Sequence, residues 1–309
     1  MKSIKEIIDE MMPGVKLEQE KLLQQLKADK ELARLIAREQ IADEVLRPVI
    51  ATLFQYIEER DKCNNCPGIS ECPNLFAGHF LTINYRNRQF YSFLEKCNKQ
   101  IAKERSDYHN RLFQGQHIQA ELLDADLSEF IRTPERDGAY FALYKFLENY
   151  SPGKKERGIY LHGPLGVGKS YMLVAFARKL AERGIATLMV YLPDFFRDIK
   201  QSIGDDSLNL KVDALKNIEV LILDDIGAES ISQWERDEIL GAILQARMVK
   251  GLPTIYSSNL DYDGLERHLA YSSKGGEELL KAKRIMERIR HYTDAYLVDG
   301  PNRRKKAAN

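Results

Sequence analysis

An excess of charge of one sign is missing from this chain. Its 46 Lys and Arg balance 46 Asp and Glu, for a formal net charge of +0. A global basic excess therefore gives no argument for a nucleic-acid partner, and any such site has to be local. Long apolar runs are missing too. None approaches ~18 residues, so no transmembrane helix and no membrane partner is expected. The opening MKSIKEIIDEMM sets acids inside its apolar pattern, which reads as an amphipathic helix and not as an export signal. Cysteine is scarce: four residues, all between positions 63 and 97. Without an export signal a reducing cytoplasm is expected, where clustered thiols serve metals more readily than disulfides. What remains is 30% charged and 44% hydrophobic over 309 residues. That fits a soluble globular chain of one large or two medium domains.

The chain is organised around Gly158 to Lys169. GIYLH reads as a buried strand, and the helix pattern KSYMLVAF opens at Lys169. Between them Gly163, Pro164, Leu165, Gly166, Val167, Gly168, Lys169 and Ser170 match G-x-x-x-x-G-K-[ST]. Glycines let backbone N–H groups turn inward around phosphate oxygens. Lys169 places a charge on the β- and γ-phosphates of a nucleoside triphosphate, and Ser170 offers a hydroxyl to Mg²⁺. The helix N-terminus adds partial positive charge. The plain alternative is a chance Gly-rich turn, which the strand before and the helix after argue against.

Further strands are expected at 186–192, 220–223, 254–257 and 295–298, with helical patterns between them and another helix over 136–149. That alternation predicts an α/β fold, a parallel sheet flanked by helices. VLILDDIG ends a strand in Asp224 and Asp225, where parallel sheets bind ligands. Asp224 is expected to hold Mg²⁺, and Asp225 to orient or deprotonate the attacking water; the alternative is a helix-capping turn. Asn259, just past another strand end, can reach the lytic water or the γ-phosphate, or simply make an Asx turn. In KAKRIMERIRHY, Arg284 and Arg288 share a helix face, with Arg290 nearby. An arginine given to a neighbour's nucleotide would neutralise transition-state charge; the alternative is a solvated basic face. Arg303 and Arg304 either touch phosphate in cis or belong to a frayed tail. Phe195 and Phe196, beside Arg197 and Lys200, suggest a surface that stacks bases and tracks phosphates, unless both rings pack inward.

The first hundred residues carry helical stripes. Ser3 can cap a helix with Ile4, Ile7, Ile8 and Met11, ended by Pro13-Gly14. Others follow through Leu22, Leu23 and Leu26, then Leu32, Leu35 and Ile36. A last one spans about 43–60, in which Pro48 is tolerable only near the first turn. Cys63 and Cys66 then stand at the spacing that offers two thiolates to a tetrahedral Zn²⁺. The expected ligand set is Cys63, Cys66, His79 and Cys97, with Cys72 dropped or exchanged for His79. Four ligands close a site, so that zinc would be structural. Inert thiols and a redox pair are the alternatives, the latter without the βαβ pattern it needs. The expected organisation is a small helical zinc-binding domain at 1–97, a linker at 98–135 and a nucleotide domain at 136–309.

Phosphate loop, LDDIG, SSNL and RIMERIR, in this order, resemble the AAA+ ATPases, and with the cysteine module the DnaC/DnaI/IstB-like branch that includes bacterial helicase loaders. By that resemblance Lys169 and Ser170 match Walker A, Asp224 and Asp225 Walker B, Asn259 sensor 1, and Arg303 or Arg304 sensor 2. It implies ATP hydrolysis, binding of single-stranded DNA and side-by-side self-association, with Arg288 acting on the adjoining subunit. It also implies that the zinc-bearing N-terminal domain contacts a hexameric replicative DNA helicase and delivers it in the primosome. Family members often carry Asp-Glu where this chain has Asp224-Asp225, and the shorter carboxylate suggests a slow switch. A transposition helper ATPase and a nucleotide-switched adaptor without turnover are the competing readings. A small-molecule phosphotransferase lacks a lid and an acceptor pocket here.

Overall fold

The computed structural model describes residues 13–202, 207–272 and 276–303. The expected first helix, with Ile4 to Met11, and Arg304 lie outside them. The chain divides into two compact units, Met1–Ser106 and Asp107–Asn309. Among the described residues no helix is long and apolar enough to cross a membrane.

The first unit begins with helices α1 (Pro13–Ala28), α2 (Lys30–Glu39), α3 (Asp43–Leu46) and α4 (Ile50–Asn64). Asp29 caps α2 by accepting the N–H groups of Glu31 and Leu32. Arg60 of α4 reaches the same carboxylate at 2.6 Å, and its hydrogen bond pulls the Asp29 pKa down to about 2. The helix expected over 43–60 is interrupted by a 3-10 turn at Arg47–Val49, because Pro48 lacks an N–H and its ring crowds the preceding turn. Leu23, Leu26, Leu32, Ile41, Leu46 and Leu53 form the core. The unit is not purely helical. Strands β1 (His79–Arg86) and β2 (Gln89–Lys96) pair antiparallel in register Arg86↔Gln89. Their two-residue turn, Asn87-Arg88, has both φ positive (50° and 61°), the hairpin geometry that matches strand twist. Ile83, Tyr85 and Phe90 pack onto the helical core.

The second unit is built on strands β3 (Phe113–Gln116), β4 (Gly158–His162), β5 (Thr187–Tyr191), β6 (Val220–Asp224), β7 (Thr254–Ser258) and β8 (Thr293–Leu297). They form a six-stranded sheet in the order β8-β4-β7-β6-β5-β3, with parallel neighbours throughout. Alternate side chains serve opposite faces. Leu221 and Leu223 join one core with Phe195, Ile243, Leu265 and Ile285, while Val220 and Ile222 join another with Leu143, Leu173 and Phe176. The stretch expected as a linker holds helix α5 (Asn98–Leu112) and then β3, which pairs with β5 at the sheet edge. Buried Arg247 ties the lower ends of the strands together. Its guanidinium donates to Thr254 Oγ1 and to the carbonyls of Leu215, Ile218, Glu219 and Pro253.

Candidate nucleotide site

The site lies at the C-terminal ends of β4, β6 and β7. The loop after β4 fits only glycine at two points. A Cβ at Gly163 would stand 2.0 Å from Val298 O, and one at Gly166 would stand 2.1 Å from Asn302 Oδ1. Both residues also take positive φ, 146° and 79°. The loop feeds directly into helix α6 (Lys169–Glu182), whose first N–H groups and dipole face the same space. That space is a cleft of ≈ 620 Å³ whose lining includes Lys169, Ser170, Asp224, Asp225, Asn259 and Arg303. Its size suits a nucleotide.

Sequence-expected residues meet here at hydrogen-bond distance. Lys169 Nζ donates to Gly163 O at 2.7 Å, Pro164 O at 2.9 Å and Asn259 Oδ1 at 2.9 Å. Asn259 Nδ2 donates to Asp225 Oδ1 at 2.9 Å. Ser170 Oγ donates to Asp224 Oδ1 at 3.0 Å. Burial pushes the Asp224 carboxyl above its ordinary range, and the Ser257 and Ser170 hydroxyls pull it back. A buried carboxylate beside a hydroxyl, at the mouth of a phosphate loop, fits a divalent cation. Ser170 and Asp224 would hold Mg²⁺, which would neutralise charge on bound phosphates. Asp225 stands in the left-handed region, φ 59°. Asp tolerates that conformation better than most residues.

Other expectations fall elsewhere. Arg288 donates to Gly241 O at 3.0 Å and lines a second cleft of ≈ 310 Å³, with Lys155, Arg157 and His291. It is not among the residues lining the phosphate-loop cleft. Arg290 is taken by Asp263 and Glu266. Phe195 and Phe196 do not form a stacking surface. They are 2% and 3% exposed in the core, because their helix (Leu192–Gln201) turns its apolar stripe to the sheet. Arg197 pairs with Asp194, and Lys200 with Glu235.

The cysteine stretch also departs from expectation. Among the described residues no three His, Cys, Asp or Glu side chains are gathered to hold a metal ion. Cys63, Cys66, His79 and Cys97 are therefore not brought together as a ligand set. Three of them are engaged one by one: Cys63 Sγ accepts from Asn74 Nδ2, Cys97 Sγ from the Gln100 N–H, and His79 Nδ1 faces Ala77 O. Cys72 Sγ accepts the Gly78 N–H.

Three residues of the site escaped the sequence reading. Ser257 donates to Asp224 Oδ1. Buried Arg136 donates to the carbonyls of Asp299 and Pro301, holding the segment before Arg303 near the phosphate loop, where Arg303 N donates to Gly166 O at 3.0 Å. Buried Glu229 accepts the Gly227 N–H at 2.9 Å, just past the aspartate pair. The run G-A-E after the aspartates was visible, but nothing in its pattern marks a buried acid. Burial pushes the Glu229 pKa up to about 7. The folded chain thus keeps this proton up to about pH 7, while the unfolded chain loses it near pH 4.5. Stability contributed by this group is present below that lower pH and is lost as pH rises through the upper one, about 3 kcal/mol in all. Urea unfolding at about pH 5 and about pH 8 should show the loss in the wild type and little of it in Glu229→Gln. Equal slopes in both proteins would remove Glu229 from this role.

Phosphate loop, paired aspartates, strand-end asparagine and parallel sheet together define a P-loop nucleotide-binding domain of the AAA+ kind. Residues 83–309 match the family described as IstB-like ATP binding protein, and residues 1–91 match Primosomal protein DnaI N-terminus. The chain belongs to the IstB-like ATP-binding family, in its DnaI branch. It is 36% identical over 274 residues to the "Replicative helicase loader DnaI" of Bacillus subtilis (strain 168), covering 88% of each chain. Among solved structures, "Crystal Structure of the DnaI" is 43% identical at a TM-score of 0.55, covering 63% of this chain and 98% of that one. A putative primosome component from Streptococcus pyogenes serotype M3 is 35% identical at a TM-score of 0.53, covering 63% and 97%.

Proposed function

We propose that this chain is a cytoplasmic, ATP-dependent loader of a hexameric replicative helicase onto single-stranded DNA, working within the primosome. One observation carries the reading. An ATP site with its aspartate pair and sensor asparagine in contact occurs in a chain 36% identical, over 88% of both lengths, to a replicative helicase loader. The N-terminal match to the DnaI family favours this over a transposition helper, to which the IstB-like match alone would equally point. We assign helicase contact to 1–97 and ATP-driven self-association to 136–309, with 98–135 between them. Turnover is slow, because Asp225 is short where the branch often has Glu. With Phe195 and Phe196 buried, single-stranded DNA is assigned to the loader activity and not to those rings.

Full-length protein, hexameric helicase and a forked oligonucleotide make the test. Strand separation should appear only with this chain and ATP present. Equal unwinding without it, and no complex with the helicase on size exclusion, would overturn the reading. Zinc enters on donor chemistry alone. The Cys63–Cys66 spacing suits it, and the sulfurs of Cys63, Cys72 and Cys97 each accept an N–H group. Metal analysis of the same preparation decides between about one zinc per chain and free thiols.

A further inference from the structure

Ser257 is 1% exposed near the end of β7, against β6. Its hydroxyl donates to Asp224 Oδ1, and its oxygen accepts the Asp225 N–H at 2.9 Å. A hydroxyl has one proton and two lone pairs, so one small group does both. We propose that Ser257 is a positioning residue for ATP hydrolysis, its hydroxyl locking the magnesium-binding and water-orienting aspartates into one unit. The inference rests on the ATPase reading above.

Local strain makes such a lock necessary. Asp225 at φ 59° costs of order 1 kcal/mol against an ordinary conformation. The turn that holds it there is tied down in sequence. Ile226 N donates to Ser257 O at 2.9 Å, Ser258 Oγ donates to Ile226 O at 2.5 Å, and Gly227 N donates to Glu229 Oε2 at 2.9 Å. Deleting the Ser257 hydroxyl removes the acceptor of the Asp225 N–H and lets the turn relax. It also takes one of two hydroxyl donors from Asp224 Oδ1, the other being Ser170. A shift of about 1 Å at a reacting group can cost about a hundredfold in rate. Ser257 lines the same cleft as the phosphate loop, but it stands on a neighbouring strand, so loop binding of the triphosphate does not pass through it.

The test measures phosphate release and the affinity of a fluorescent ATP analogue on the full chain. Ser257→Ala should lower kcat by about ten- to a hundredfold. KM and analogue affinity should stay within about threefold, because binding is left to Lys169 and the loop. Ser257→Cys keeps the shape with a weaker donor and should lose kcat in the same direction. Ser257→Thr restores a hydroxyl and should recover most of the rate. A purely structural role would lower affinity and kcat together and would gain nothing from threonine. Wild-type kcat in Ser257→Ala or in Ser257→Cys overturns the inference, as does a threonine variant no better than alanine. A wild-type chain that releases no phosphate fails differently: it removes the ATPase reading itself, and this inference with it.

Discussion

Lys169→Ala should weaken ATP binding by roughly thirtyfold or more while leaving both units folded. Lys169 is 7% exposed, and its ammonium already donates to Gly163 O, Pro164 O and Asn259 Oδ1. Those oxygens crowd the inner end of the loop, where the β- and γ-phosphates must lie. A triphosphate bound there without the lysine would leave buried negative charge unpaired. Truncating one partner of such a desolvated pair costs about 2–5 kcal/mol. That corresponds to roughly thirty- to several-thousandfold in affinity. Lys169→Arg should rescue little, because a planar fork does not replace a compact point charge in that pocket. The fold should survive, since the lysine's partners are loop carbonyls and one side-chain amide, while the sheet cores lie elsewhere. Titration with a fluorescent ATP analogue, beside a thermal melt, checks both halves. An affinity within about threefold of wild type would remove the loop assignment.

Elements whose residues carry their own chemistry were readable from the sequence, and elements defined by a partner were not. Strands at 158–162, 187–191, 220–224 and 254–258 announced themselves as apolar runs between turns, as fully buried parallel strands do. The edge strand Phe113–Gln116 has one apolar residue in FQGQ, and it is a strand only because β5 lies beside it. The hairpin at 79–96 held a signal that helical stripes upstream masked: FLTINY and QFYSFL flank Asn87-Arg88, rich in aromatic and β-branched residues. In the site, motif spacing found Lys169, Ser170, Asp224, Asp225 and Asn259. It could not find Ser257 or Arg136, which act through backbone and neighbour contacts that no residue type announces. For Phe195 and Phe196 the helix period alone left two faces possible, and the sheet took both rings.

Arg288→Ala should leave ATP affinity intact and lower turnover about a thousandfold, the usual reach of an arginine supplied to a transferring phosphoryl group. In its own chain Arg288 has another place. It is half-buried, donates to Gly241 O at 3.0 Å and lines the cleft with Lys155 and His291, apart from the residues around Lys169. Under the self-association proposed above, a cation so placed would act on the phosphate of another subunit. The alternative, that it merely fastens its helix to Gly241, makes a different forecast: Arg288→Ala would then lose stability and Arg288→Lys would retain turnover. Mixing variants separates the two. A Lys169→Ala chain should bind ATP poorly but still present Arg288, whereas an Arg288→Ala chain should hold ATP but present no arginine. Each should be inactive alone. Combined, some boundaries pair an intact nucleotide site with an intact arginine, and phosphate release should return in proportion to their number. A mixture as inactive as its parts would place Arg288 outside the reaction and leave the self-association proposed for 136–309 without its chemical reason.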